Sequence, residues 1–265
     1  MLHLIQQRTA KALMLLCASA AVNVTFSTSF CTAARAADTP HAAPQRKVNP
    51  APSADLHYAI NAQQSGITLN GEALLTWRSS GTNYSIDTET RSAILGKIIE
   101  SKSAGAIDTF GLAPATFTEK RWRKQPTTTT FDRTDKAIHF STGAETYPLL
   151  GGEQDRNSAV WQLIAVARAN AAAFKPNSTW DFFVAGPRDA EPWTFKVIKE
   201  EQLATAVGEQ RTVHIKRAPP PDSKGQHLDI WLTPAREWYP VKIRFSDGDG
   251  DFIEQTLEKI GKPAG

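Results

Sequence analysis

Apolar and polar residues alternate along most of the second half of the chain. The segments "WTFKVIK", "TVHIKR", "HLDIWLT" and "VKIRFS" each place apolar side chains on one face and polar side chains on the other. A period of two residues is typical of antiparallel strands with one buried face. Earlier, "EALLTWRSSGTNYSIDTET" predicts a hairpin that turns at Gly81, and "TFTEKRWRK" with "TTTTFDRTDKAIHFS" predicts further strands. The pattern predicts about ten to twelve strands in all.

A single helical segment interrupts this pattern. Val160, Leu163, Ile164 and Ala167 recur at helical spacing, and Pro176 bars continuation, which predicts one amphipathic helix of roughly 14 residues. A helix about 10 Å wide covers only about two strands spaced about 4.8 Å apart. The predicted fold class is therefore mainly β, a curved antiparallel sheet or half-barrel with one helix packed against it. Such a curled sheet encloses either packed side chains or a cavity.

The N-terminal segment, residues 1–36, has the features of a cleavable signal peptide. Arg8 and Lys11 precede the apolar run "ALMLLCASAAV", and small residues end at Ala36. The run is too short for the roughly 20 residues that span a bilayer, so we expect an exported, periplasmic protein and not an integral membrane protein. Residues 37–54, with four prolines, predict a disordered linker, and residues 55–262 predict a single β-rich domain.

Removal of the leader changes the chemistry that the chain offers. Cys17 and Cys31 both lie in it, so the mature protein has no disulfide, thiol nucleophile or thiolate metal ligand. The leader contains basic residues but no acidic residue, whereas the full chain has 30 basic and 27 acidic residues. The mature chain is therefore close to neutral, and its charge indicates no nucleic-acid partner.

Six sequence blocks, spread between residues 56 and 260, resemble a known family. They are "GEALLTWR", "GLAPATFTEKR", "FDR" followed by "IHFS", "QDRNSAVWQL", "GPRDAEPWTFKV" and "WLTPAREWYPVKIRF". In this order they resemble the domain of unknown function 3108 family of exported proteobacterial proteins. The resemblance implies no catalytic residue or cofactor, because the family has none established. Its pattern of a curved sheet with one helix is similar to the half-barrels of periplasmic lipoprotein-sorting and lipid-binding carriers.

The polar segment "DRNS" before the helix has two interpretations. Asp155 caps the helix by accepting a hydrogen bond from a free amide near Ser158, or the free amides and Arg156 hold an anion such as a lipid phosphate. We favour the cap. Ser158 as a nucleophile is disfavoured, because no hydrolase motif surrounds it and His57, His139 and His214 are distant in sequence.

Metal binding is not expected from this sequence. Asp247, Asp249 and Asp251 have the spacing that begins a calcium loop, but Phe252 stands where such a loop needs glycine. An Asp-Gly hairpin turn explains the segment better. The histidines of the domain are scattered singly, so no metal site is predicted.

Two sets of residues are candidates for binding. The first set is a basic patch on a predicted strand, made up of Lys120, Arg121, Trp122, Arg123 and Lys124. It suits an anionic headgroup or a polysaccharide. Alternatively, its charges only prevent the edge of the sheet from pairing with another sheet. The second set consists of Arg156 and four large aromatic residues, which are candidates to line a cavity. The aromatic residues are Trp77, Trp180, Trp193 and Phe195. Ordinary core packing is the alternative for them.

These observations favour a non-catalytic periplasmic protein that binds a hydrophobic or lipid-like molecule in a curved sheet. The alternative is an envelope scaffold with a filled core that meets an envelope protein or glycan through the basic patch. A hydrolase is the third hypothesis. No cofactor is predicted.

Overall fold

The computed structural model describes residues 43–219 and 225–263. The first strands are β1 (Ala54–Gln64), β2 (Ile67–Ser80), β3 (Asn83–Ser92), β4 (Gly96–Asp108), β5 (Gly111–Arg121), β6 (Thr127–Asp132), β7 (Ala137–Phe140), β8 (Thr146–Pro148) and β9 (Gln154–Asp155). After helix α1 (Ser158–Ala169) come β10 (Thr179–Ala185), β11 (Ala190–Thr205), β12 (Gly208–Arg217), β13 (His227–Leu232), β14 (Pro240–Ser246) and β15 (Phe252–Gly261). Two 3-10 turns cover Ala171–Ala173 and Pro234–Arg236.

All the strands belong to one curved sheet in the order β8-β7-β6-β5-β4-β3-β2-β1-β15-β14-β13-β12-β11-β10-β9. Its pairs are antiparallel, except that β9 runs parallel to β10. The described residues form 15 strands, more than the ten to twelve that we predicted. Part of the shortfall comes from β8 and β9, which have only 3 and 2 residues, too few for a period of two to show.

The two ends of the sheet meet through side chains, which gives a barrel-like shape. A small apolar cluster joins β5, β6 and β7 to the end of β10; it contains Phe117, Phe131, Ile138, Phe140 and Ala185. On the same side, the Thr129 hydroxyl donates a hydrogen bond of 2.8 Å to the carbonyl oxygen of Gly186. The curled sheet expected from the strand-to-helix ratio is thus present.

Helix α1 lies inside the curl and is buried on nearly all sides. Of its first ten residues only Val160 is not buried, so the one-sided amphipathic helix that we predicted is corrected to an enclosed one. Trp161 stacks on Trp77 with ring centres 4.2 Å apart. Gln162 accepts a 2.8 Å bond from the amide of Leu112 and donates a 2.7 Å bond to the carbonyl of Phe110. None of the helices in the described part of the chain is long and apolar enough to cross a membrane.

One end of the curled sheet is closed by the chain segment that precedes β1. The amide of Asn49 donates to Ala165 at 2.9 Å, and the Trp77 indole donates to the carbonyl of Ala51 at 2.9 Å. Tyr239 donates to the carbonyl of Pro52 at 2.6 Å. Residues 43–53 therefore pack against the fold instead of forming the linker that their proline content suggested. The predicted leader, residues 1–36, lies outside the described residues.

Candidate functional site

The length of α1 explains why the interior is not filled at both ends. A helix of 12 residues is about 18 Å long, whereas a strand such as β1, with 11 residues, extends about 36 Å. The C-terminal end of α1 lies at the closed end, beside Asn49 and the turn that carries Glu237. The opposite half of the interior has no helix to fill it. We call this side, which carries the β1–β2, β3–β4, β5–β6 and β14–β15 turns, the open end.

A cavity of about 250 Å³ occupies the open end. The inward-facing residues of each strand change role along its length. On β14, Val241 is 0% exposed near the closed end, Ile243 belongs to the core and also lines the cavity, and Phe245 lines the cavity and is only partly buried. On β1, Leu56 is 0% exposed, and Ile60 is the core residue that reaches the cavity wall. Most other wall residues are apolar as well, including Leu69, Leu75, Ile86, Ile98, Ile99, Val160, Trp161, Trp193, Leu228 and Ile253.

Four charged side chains interrupt the apolar wall, and three of them are arginines. They are Arg91, Glu119, Arg121 and Arg156. Arg91 pairs with Glu89 at 2.5 Å, and Arg121 pairs with Glu119 at 2.6 Å.

Arg156 has a weaker ion pair than the other two arginines of the wall. Its guanidinium is 4.0 Å from the Asp189 carboxylate. The group lies over Gly186, where an added Cβ would be 2.8 Å from Nε. A glycine at this position therefore provides the space that holds the guanidinium beside the cavity.

The sequence-predicted aromatic residues divide between the cavity and the core. Trp193 lines the cavity together with Arg156. Trp77 is fully buried against Trp161, and Trp180 stacks on Phe174 at 4.6 Å. Phe195 is 0% exposed. The structure therefore places Trp77, Trp180 and Phe195 in side-chain packing away from the cavity wall. Trp77 and Phe195 lie nearer to the closed end than the wall residues of their strands, and Trp180 pairs with Phe195.

The polar segment at the start of α1 forms a buried network centred on Asp155. Its Oδ1 accepts hydrogen bonds of 2.8 Å from the amides of Asn157 and Ser158, and its Oδ2 accepts one of 2.5 Å from the Ser103 hydroxyl on β4. The carboxylate thus accepts from the Ser158 amide, as the capping interpretation predicted, although Asn157 holds the N-cap position. These amides are therefore not free to bind an external anion.

Burial dominates the electrostatics of this network. It raises the pKa of Asp155 from 3.8 to about 6, although the donors around the carboxylate oppose the shift. Burial, followed by the charge of Asp155, also raises the pKa of Tyr84 well above its ordinary value. The Tyr84 hydroxyl is 3.2 Å from Ser103, so one chain of polar groups joins β3, β4 and the helix start.

Ser158 has a structural position in the same network. Its hydroxyl accepts a 2.8 Å bond from the Asp155 amide, and the residue is 0% exposed. A nucleophile must reach a substrate atom, and this hydroxyl has neither solvent access nor a histidine among its hydrogen-bond partners in the described chain.

The basic patch of the sequence lies at the open end. Lys120 and Arg121 end β5, and Trp122, Arg123 and Lys124 begin the turn to β6. The Arg123 guanidinium is 4.1 Å from the centre of the Trp122 ring. Arg121 is the one member of the patch that lines the cavity.

Two acidic turns have the geometry of hairpins. In the β14–β15 turn, Asp247 accepts bonds of 3.0 and 3.1 Å from the amides of Asp249 and Asp251. The β6–β7 turn brings Asp132, Asp135 and His139 together, with ligand atoms within 4.8 Å of one another. The sequence did not predict this second group. Asp132 already accepts from the amides of Thr134 and Asp135, as turn residues commonly do.

A curled antiparallel sheet around one buried helix, with an apolar cavity at one end, defines this chain as a β-barrel-like cavity protein. The chain belongs to the family described as "Protein of unknown function (DUF3108)", which matches residues 54–258. This finding confirms the family resemblance seen in the sequence blocks.

Several solved structures are similar to this chain. A β-barrel-like protein of the domain of unknown function DUF1849 from Brucella abortus is 15% identical and has a TM-score of 0.52, with 82% of this chain and 98% of that chain covered. A putative exported protein with a YmcC-like fold from Bacteroides fragilis is 7% identical and has a TM-score of 0.33. The similarity covers 83% of this chain and 100% of that chain.

A putative outer membrane lipoprotein-sorting protein domain from Vibrio parahaemolyticus is 8% identical, with a TM-score of 0.26 and coverage of 79% and 84% of the two chains. Of these three similarities, the one to the Brucella protein, with a TM-score above 0.5, shows a shared fold. The sequence has no match among curated proteins.

Proposed function

We propose that this protein is a non-catalytic carrier of the cell envelope that holds a hydrophobic or lipid-like molecule in the cavity at its open end. The observation that carries the proposal is the 250 Å³ cavity with a mainly apolar wall. An apolar cavity of about 150 Å³ already binds benzene, so this one suits an acyl chain or another slender apolar group. The envelope location rests on the predicted leader.

The alternative hypothesis of a scaffold with a filled core has less support. The side chains around α1 are closely packed, but towards the open end the inward faces of the strands line a cavity, and Leu69, Phe245 and Ile253 are only partly buried there. Apolar side chains that face a cavity, instead of packing on one another, contribute less to stability. A ligand that covers them supplies the contacts that the fold itself does not make.

Val160 offers a direct test because it is the α1 residue that faces the cavity without being fully buried. We expect Val160→Trp to fill part of the cavity and to weaken binding of an apolar fluorescent probe by about tenfold or more, equivalent to about 1.4 kcal/mol. Stability should change by less than about 1.5 kcal/mol, because the added ring enters existing space. Probe titration and urea unfolding measure the two effects.

Ile198→Trp is the matched control, since Ile198 is partly exposed on β11 and does not line the cavity. It should leave the probe affinity unchanged. Native mass spectrometry of the wild-type protein should detect a co-purified lipid-sized molecule that the Val160→Trp variant lacks. If the wild type carries no such molecule and both variants bind the probe as the wild type does, the carrier proposal fails.

A further inference from the structure

The β3–β4 turn, residues 93–95, carries the most exposed large apolar side chain of the described residues. Ile94 is 81% exposed at the tip of this turn. The turn has a defined shape, because the Ser92 hydroxyl accepts hydrogen bonds of 3.2 Å from the amide of Ile94 and 3.4 Å from that of Leu95. Ile94 is therefore held away from the core by the local backbone.

The β5–β6 turn lies directly beside this tip. The amide of Trp122 donates a 2.8 Å hydrogen bond to the carbonyl of Ile98, two residues into β4. We define the basic rim as Ile94 and Leu95 of one turn with Lys120, Trp122, Arg123 and Lys124 of its neighbour. It combines an aliphatic tip, an indole ring and a group of cations on one side of the open end.

The cations of the basic rim differ from those nearby in their pairing. Lys97 contacts Glu89 at 2.7 Å and Glu100 at 2.6 Å. In contrast, Lys120, Arg123 and Lys124 are exposed and form no ion pair with any described residue. Their charge is thus available to an external anionic surface.

The basic rim also borders the cavity. Arg91 and Ser92 before the tip, and Ile98 and Ile99 after it, are wall residues of the cavity. The acidic β14–β15 turn is at the same end, but β2 and β1 separate its strands from β3 in the sheet. The rim is therefore basic on the β3–β6 side, and the apolar cavity begins directly below it.

We propose that the basic rim docks on a lipid bilayer that contains anionic lipid, with Ile94 and Trp122 entering the headgroup region, and that the cavity exchanges its ligand with the bilayer at this point. Tryptophan prefers the membrane interface, and lysine and arginine near an anionic surface are attracted to it. Exchange at the bilayer rests on the proposed carrier function, whereas docking does not. A soluble glycan would use the cations and the indole but not the aliphatic tip.

Flotation with vesicles tests docking. We expect the full-length mature protein to bind vesicles of phosphatidylglycerol and phosphatidylethanolamine, and to bind phosphatidylcholine vesicles at least about tenfold more weakly. Ile94→Asp should weaken binding to the anionic vesicles by about tenfold, and so should Arg123→Glu combined with Lys124→Glu, which should also reduce the dependence on salt. Ile198→Asp, on β11, is the matched control and should bind as the wild type does.

Unfolding in urea should be unchanged by Ile94→Asp, because the side chain is already exposed. Equal binding to both kinds of vesicle, or an equal loss for Ile94→Asp and Ile198→Asp, would overturn docking. Binding to a soluble anionic polysaccharide but not to vesicles would replace the bilayer with a glycan.

Probe binding in solution separates docking from the carrier function. Ile94→Asp should retain the wild-type affinity for the apolar probe, and Val160→Trp should retain vesicle binding while it loses the probe. If the vesicles bind but no variant or wild-type protein binds the probe, docking stands and the carrier function fails. If Ile94→Asp loses both, the exposed tip is part of the cavity and the docking proposal fails.

Discussion

Phe195→Gln should destabilise the protein by about 4 kcal/mol or more. Phe195 is 0% exposed and lies between Phe182 and Trp193, with ring centres 5.9 and 6.0 Å away. Loss of such a ring costs about 3 to 5 kcal/mol, and an amide buried without a partner adds about 1 to 3 kcal/mol. From the sequence this residue was a candidate for the cavity wall, with ordinary core packing as the alternative, and its burial places it in the core. The urea midpoint measures the difference.

Phe245→Gln is the matched control, because it makes the same change on the cavity wall. Phe245 is half-buried, and its amide replacement would remain within reach of water through the open end. We expect a cost of about 2 kcal/mol or less, because fewer contacts are lost. Similar losses for the two variants would show that the open end is packed as tightly as the closed end, which would also weaken the carrier proposal.

The difference between these two residues shows what alternation along a strand predicts. The pattern in "WTFKVIK" and "VKIRFS" correctly places Trp193, Phe195, Val241, Ile243 and Phe245 on the inner face of the sheet. It does not predict how far an inward-facing residue lies from the open end or the closed end of the curled sheet. Whether an inward side chain meets α1 or the cavity depends on where a 12-residue helix lies within the curl, and contacts distant in sequence determine that position.

The helix start was predicted in part for a similar reason. The bond between Asp155 and the Ser158 amide is local, and the sequence predicts it from residue types that favour helix ends. Ser103 and Tyr84 approach from β4 and β3, more than 50 residues away in the case of Ser103. The strand β4 is rich in serine, alanine and glycine, which give only a weak strand signal. Its role as a hydrogen-bonding partner of the helix was therefore not predicted.

The cavity-lining charges could be found only in the structure. Arg156 was a candidate because it adjoins the predicted helix start, but its place over Gly186 depends on the end of β10 reaching α1. Arg91 and Arg121 lie on different hairpins, and the curl brings both to one wall. Turns are usually polar, and the exposed Ile94 departs from that tendency, which is why we assign it a binding role.

Asp155 should make the stability of the protein depend on pH in a way that an asparagine does not. Burial raises the pKa of this carboxyl from 3.8 to about 6, so the folded state holds a proton that the unfolded state has lost between these values. The stabilisation from this group is complete below the unfolded pKa and is lost as the pH rises through the folded pKa. The loss amounts to about 3 kcal/mol, at about 1.4 kcal/mol for each pKa unit.

The measurement compares the free energy of unfolding of wild type, Asp155→Asn and Asp155→Ala between about pH 4 and pH 8, so that other titrating groups cancel. In Asp155→Asn, the amide oxygen still accepts from Asn157 and Ser158, and its NH₂ donates to Ser103. This variant should gain about 3 kcal/mol relative to wild type across that range. Asp155→Ala leaves buried donors unpaired and should be about 2 to 4 kcal/mol less stable than Asp155→Asn at every pH. A difference between wild type and Asp155→Asn that does not change with pH would show that the carboxyl titrates alike in both states, and that its hydrogen bonds offset its burial.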